Sequence, residues 1–235
     1  MSTPGSAATQ LIALAAGALL VTSVLLVWRR DLSAQVRLLT LQGVSLAVLA
    51  ATIGLSGPGS ARAELLLVAL LVLLLRAWLL PWVLGRRLRA GVAAGDAARE
   101  DGARLNPTAS LVLVALLTTV AYLVSRPISE GVAADGVGIS GPAAFAVPVG
   151  VAMVLIGFLL LVGRSRAMSQ LIGFLVLDNG IATVAFLTAA GVPFAVELGV
   201  SSDVLLVVLI LAVLSRRIHA QVGSTALDSM TELKG

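Results

Sequence analysis

The chain has no cysteine and a single histidine, His219, among its 235 residues. Without cysteine it can form neither a disulfide nor a cysteine-ligated iron–sulfur cluster, and one histidine cannot furnish a His-ligated haem pair or a Cys/His zinc site. Redox compartment is therefore unreadable from cysteine usage, and any electron chemistry connected with this protein belongs to another polypeptide. Charge is scarce too. Asp, Glu, Lys and Arg together make 12% of the residues, against roughly a quarter in a soluble domain. Aromatics make 4%.

Apolar residues fill the space left by these absences. They amount to 59% of the chain, and the mean hydropathy is +1.06. That composition defines a polytopic membrane protein whose solvent is the lipid bilayer. A net charge of +4 could point to nucleic acid. The basic residues lie in short connections between apolar runs, so they read as topology signals, and no nucleic-acid partner is expected.

Runs of about 20 apolar residues, enough to cross a bilayer, occur at 8–28, 34–55, 62–84, 107–125, 142–163, 168–190 and 195–215. The first is preceded by MSTPGSAATQ, which has no basic residue. Its apolar run is also longer than a secretory signal core, so it reads as a retained span. Arg29, Arg30 and Arg37 follow the first span; Arg86, Arg87 and Arg89 the third; Arg164 and Arg166 the fifth; Arg216 and Arg217 the seventh. The alternate connections hold Arg62 with Glu64, Arg126 with Glu130 and Asp135, and then Glu197. By the positive-inside rule the N-terminus lies outside and the C-terminus in the cytoplasm. Trp28, Trp78 and Trp82 then fall near the cytoplasmic boundary.

The expected fold is thus an all-α transmembrane bundle of about seven spans in the cell inner (plasma) membrane. Residues 1–235 form one integral domain: four spans within 1–125, three within 142–215, and a cytoplasmic tail at 216–235. The stretch 86–106 reads as a solvated or partner-facing connection and 127–141 as an irregular Gly-rich outer one. There is no convincing internal repeat.

Three ionisable residues fall far inside spans. Asp178 lies about 15 Å from the cytoplasmic start of the sixth span, Arg76 about 15 Å from the cytoplasmic end of the third, and Asp203 about 18 Å from the inner end of the seventh, at helical rise. All converge on mid-membrane depth, where a charge is costly and needs a partner, water or a function. A carboxylate poised between desolvation, which favours its neutral form, and a nearby cation, which favours its charged form, can take up and release a proton. Arg76 stays charged and can set the field felt by Asp178 and Asp203. The plainer alternative is an ion-pair network that fixes helix packing. Gly173 and Gly180 read as close-packing positions. Gln42 and Gln170 could line a hydrated path, with polar adhesion between helices the simpler reading of Gln42. Pro81 and Pro148 read as ordinary helix bends.

With these residues placed, the chain resembles membrane component E of hydrogenase-4, a subunit family of group 4 membrane-bound NiFe hydrogenases and formate hydrogenlyases. The likeness rests on Gln42 before an apolar run, LLLRAWLLP with its basic residue ahead of Pro81, SQLIGFLVLDNG, ELGVSSDVLLVVLILAVLSRRI and the tail LDSMTELKG. The last three spans are also similar to the K subunit of respiratory complex I and its relative in multisubunit cation/proton antiporters. There an acid on each of two adjacent helices belongs to a membrane-embedded proton path, and Asp178 and Asp203 match those positions. The family usually has glutamate where Asp178 stands and lysine where Arg76 stands.

The resemblance implies a non-catalytic membrane subunit of a hydrogenase-type, complex I-like oxidoreductase that assists proton translocation. Its NiFe centre and iron–sulfur clusters would sit on partner subunits, with none bound by this chain. Asp178 and Asp203 are then the proton-path candidates, and Arg76, Gln42 and Asn179 the electrostatic or packing partners. Two alternatives stay open: a subunit of a cation/proton antiporter, and a structural membrane linker.

Overall fold

The computed structural model describes residues 4–56, 59–93, 106–134 and 146–188. The expected seventh span, with Asp203, and the tail lie outside the described residues. Within them the secondary structure is helical, with no strand. Helix α1 is Pro4–Trp28, α2 Leu32–Ser56, α3 Gly59–Val72, α4 Leu80–Ala93, α5 Pro107–Ala134, α6 Val147–Gly163 and α7 Ala167–Thr188. A π-helical segment, Leu73–Leu79, joins α3 to α4 without a break. Apolar sequences in lipid must satisfy their backbone internally, and helices do so.

Among the described residues five helical runs are long and apolar enough to cross a membrane, with α3, the π segment and α4 counted as one. The described part of the expected fifth span, Val147–Gly163, is shorter at 17 residues, about 26 Å at helical rise. Two ends differ from the sequence reading. The third span continues to Ala93, so Arg86, Arg87 and Arg89 stand on a helix and not in a connection. The fourth continues through Pro127 to Ala134, where Arg126 and Glu130 pair at 3.1 Å with four-residue spacing. Arg, Leu and Ala residues within 86–93 favour helix, and the charge pair at four-residue spacing supports the end of α5.

The layout centres on α2, which packs against α1, α3, the π segment, α4 and α7. The most extensive seam is α6 on α7, and α5 lies on α6 and α1. Packing of α1 on α6 and of α2 on α7 interleaves the first four expected spans with the next two.

Small residues permit these close approaches. Gly173 and Gly180 both lie on the α6–α7 seam; a Cβ on Gly180 would stand 2.7 Å from the backbone nitrogen of Val154. Gly43 on α2 is tighter in consequence: its Cβ would sit 2.6 Å from Ala77 N and 2.6 Å from the Arg76 carbonyl carbon. The α2 backbone therefore lies directly on the π segment.

Pro81 gives that segment its cause. A proline ring crowds the carbonyl four residues back and offers no N–H. Widening the preceding turn relieves the clash, and Leu80 N–H donates to Leu75 O, five residues back. Sequence reading expected only a bend at Pro81. The wide turn also alters the helix's phase: Val72, Arg76, Leu80 and Leu84 are all buried, a spacing of four that is longer than the α-helical 3.6.

Arg164 is 5% exposed, although its place after a span marked it as a topology signal. Its guanidinium donates to the carbonyls of Leu26 at 3.2 Å, Val27 at 2.9 Å and Arg29 at 3.1 Å. The first two are carbonyls that α1 leaves unpaired at its C-terminal end, and the third follows directly after it. Gln35 Nε2 donates to Arg29 O as well, at 2.6 Å. One side chain at the end of α6 thus caps α1 and ties the two helices together.

Candidate functional site

The π segment carries Arg76 into the bundle, 5% exposed, where α7 presents Asp178 and Asn179. Arg76 Nη2 lies 2.7 Å from Asp178 Oδ2, a charge-assisted contact of ideal length. Arg76 Nη1 donates to Asn179 Oδ1. The guanidinium fork therefore spans two consecutive residues of α7, which a lysine ammonium could not do with fixed geometry.

The chain of polar contacts continues away from the ion pair. Asn179 Nδ2 donates to Gln42 Oε1 at 2.9 Å. Gln42, wholly buried, donates from Nε2 to Ser23 Oγ at 2.8 Å. Ser23, equally buried, donates to Leu19 O at 2.8 Å within α1. A continuous line of hydrogen bonds so runs from α7 through the π segment and α2 to α1. Thr183 Oγ1 adds a 2.7 Å bond back to Asn179 O, fixing that turn of α7.

One face of the ion pair borders a small cavity of about 10 Å³. Leu39, Leu80, Pro81 and Leu175 wall it apolarly, and Arg76, Asp178 and Asn179 supply its polar side. That is roughly the room one water needs, and the three polar residues are the partners it needs. The site can therefore do two things chemically. It can hold a carboxylate charged at membrane depth through its counter-ion, and it can admit a proton carrier of water's size beside that carboxylate.

Of the residues singled out from sequence, the structure gathers Asp178, Arg76, Asn179 and Gln42 into one cluster. Asp203, the second proposed acid, lies outside the described residues. Gln170 is exposed and donates to Arg164 O at 3.1 Å, away from the cluster. Ser23 is the member that sequence reading missed; its only signal is the polar pair Thr22–Ser23 in an otherwise apolar span. At the same end as Arg86, Trp82 carries that guanidinium over its ring at 5.4 Å, and Arg29 sits 5.9 Å from the Trp28 ring.

A helical membrane protein with a buried, hydrogen-bonded ion pair at mid-span is the class these features define. The chain belongs to the family of the uncharacterized protein Rv0085 of Mycobacterium tuberculosis, with 44% identity over 227 residues, 95% of this chain and 96% of the relative. It is also similar to the hydrogenase-4 component E of Escherichia coli K12 and of Shigella flexneri. Each is 27% identical over 135 residues, 57% of this chain and 59% of the relative. No family model and no solved structure matches it.

Proposed function

We propose that the chain is a membrane subunit of a hydrogenase-type, complex I-like complex, and that Asp178 is a proton-carrying group within it. The observation that carries this reading is the Asp178–Arg76 pair, 2.7 Å apart and beside a water-sized cavity. A buried charge pair costs desolvation that packed apolar side chains would avoid, so its presence at membrane depth favours a task. The similarity to hydrogenase-4 component E supports the kind of complex. Asp203 on the following expected span is the proposed exchange partner. Redox centres, NiFe and iron–sulfur, would belong to partner subunits, and the plasma membrane would be the site of assembly.

In this mechanism Asp178 alternates between two states. Paired with Arg76 it is an anion; when a change in the neighbouring subunits weakens that pair, it takes up a proton relayed through a water in the adjoining cavity, the water receiving a proton as it passes one on. Restoring the pair expels the proton towards the next acid. Arg76 holds its charge throughout and acts as the counter-ion.

A structural reading has its own supporting observation, the hydrogen-bond line that reaches from α7 to α1. One experiment separates the two. Asp178→Asn and Asp203→Asn are introduced into the native complex, and assembly, electron transfer and vesicle acidification are all measured. Assembled, redox-active complex with lost acidification in either variant supports proton carriage. Retained acidification in both sinks it in favour of the structural reading.

A further inference from the structure

A groove of about 360 Å³ runs between α2 and the π–α4 run, far larger than the cavity at the ion pair. Ala77 and Trp78 lie at its deep end, Gly85 and Arg89 at its outer end, and Ser33 and Arg37 face them from α2. From Ala77 to Arg89 is about 18 Å at helical rise, close to the apolar depth of one leaflet. Its form is therefore that of a slot that starts at headgroup level and descends along the helices towards mid-membrane.

Its chemistry changes along the same direction. Trp78 at the deep end and Trp82 nearer the outer end stand exposed on its wall, 65% and 48%, and their rings give the slot a broad apolar side. At the outer end Arg37 and Arg89 are both exposed, and neither has an ion-pair partner among the described residues. Asp31 is engaged at the start of α2, accepting from Ser33 N at 3.1 Å and Ser33 Oγ at 2.9 Å. The Thr40 hydroxyl is spent on Val36 O at 3.3 Å. The charged donors that line the groove are the two guanidinium groups, and guanidinium suits phosphate.

We propose that this groove binds one anionic phospholipid, its phosphate against Arg37 and Arg89 and an acyl chain laid along Trp82 and Trp78 towards Ala77. Charge complementarity selects the occupant: two cations at headgroup depth, without ion-pair partners among the described residues, favour an anionic over a zwitterionic lipid, and the aromatic wall below them accepts hydrocarbon. The site is separate from the Asp178 cluster and does not depend on the proton-carrying role.

The tryptophans report on it directly. The full-length chain carrying Trp28→Phe, which leaves Trp78 and Trp82, is reconstituted into phosphatidylcholine vesicles containing either phosphatidylglycerol or phosphatidylcholine brominated on the acyl chain. Brominated phosphatidylglycerol should quench with about tenfold higher relative affinity than brominated phosphatidylcholine. Adding Arg37→Gln and Arg89→Gln should bring the ratio to about one, whereas Arg87→Gln, outside the groove lining, should leave it unchanged. A ratio of one without the arginine changes overturns the proposal. So does loss of selectivity in Arg87→Gln equal to that in the double variant, which would mean general surface charge. Failure of either lipid to quench also overturns it, because protein then covers the groove.

Discussion

The Asp178 carboxylate and the Arg76 guanidinium meet at 2.7 Å, one on the sixth expected span and the other on a π turn of the third. Each is a buried charge, and each is an ion-pair partner of the other. Removing one partner of such a pair costs about 3–5 kcal/mol, while replacing both by apolar residues of similar size is often neutral. Arg76→Met and Asp178→Leu should each lower the thermal midpoint of the purified full-length chain strongly, and the double variant should regain most of it. The regained fold should still fail to acidify vesicles in the assembled complex. A double variant as unstable as the singles would show that the pair is not what the single changes disturb.

The hydrogen-bond line predicts coupling between helices that are far apart in sequence. Asn179 and Gln42 share one bond of 2.9 Å, and polar contacts between membrane helices contribute about 0.6–2 kcal/mol. Gln42→Leu and Asn179→Leu should therefore show an interaction energy of about that size in a double-mutant cycle read by thermal unfolding. Ser23→Ala should cost less, since it removes one hydroxyl at the end of the line. Strict additivity of the Gln42 and Asn179 effects would count against the bond.

Much of this could be read from the chain, and the rest could not for definite reasons. Hydropathy located the helices because lipid demands long apolar runs. It misjudged the end at Ala93, where helix propensity outlasts hydrophobicity, and the end at Ala134, where the helix runs on through Pro127 with an Arg126–Glu130 pair. Depth arithmetic brought Arg76 and Asp178 to one level, yet depth says nothing of direction. The facing of the two depends on helix phase, and the π turn before Pro81 alters that phase in a way no periodicity count reveals. Ser23 and Arg164 were hidden for another reason. Serine is common inside membrane helices, and an arginine after a span is what topology alone would put there.

Gly43 should be demanding although it carries no side chain. A methyl group there would stand 2.6 Å from backbone atoms of Arg76 and Ala77, so α2 or the π turn must move. Gly43→Ala should cost about 1–3 kcal/mol, the usual range for overpacking, and should also weaken the Arg76 pair. Gly17 on α1 is the control, with nothing within 4 Å of an added Cβ. Gly17→Ala should be neutral or stabilise the helix by up to about 1 kcal/mol. Equal effects at both positions would refute close contact at Gly43.

Because the chain has no cysteine, any single introduced cysteine is an unambiguous address. The loop-charge pattern predicts that cysteines replacing Asp31 and Ser165 react with an impermeant maleimide only in inverted vesicles. One replacing Glu130 should react in intact cells. The reverse pattern would invert the orientation.

Arg164 offers a distinction between two roles that sequence alone merges. Topology counts lysine and arginine alike, so Arg164→Lys would be silent if the residue only marked the cytoplasmic side. As a cap it reaches two carbonyls of α1 and that of Arg29 from the two N–H groups of one Nη2, and a hydrogen bond from a charged donor contributes about 1.5–3 kcal/mol. Arg164→Ala should therefore lower stability by about 2 kcal/mol or more, read as a lower thermal midpoint and faster loss of the folded chain in detergent. Arg164→Lys should fall between, because a single ammonium on a flexible stem cannot hold that geometry as the planar guanidinium does. Arg87→Ala serves as the comparison for loss of a positive charge without a cap. If Arg164→Lys behaves as wild type and Arg164→Ala as Arg87→Ala, the residue is a topology mark after all, and the end of α1 is held by Gln35 and the α6 packing alone.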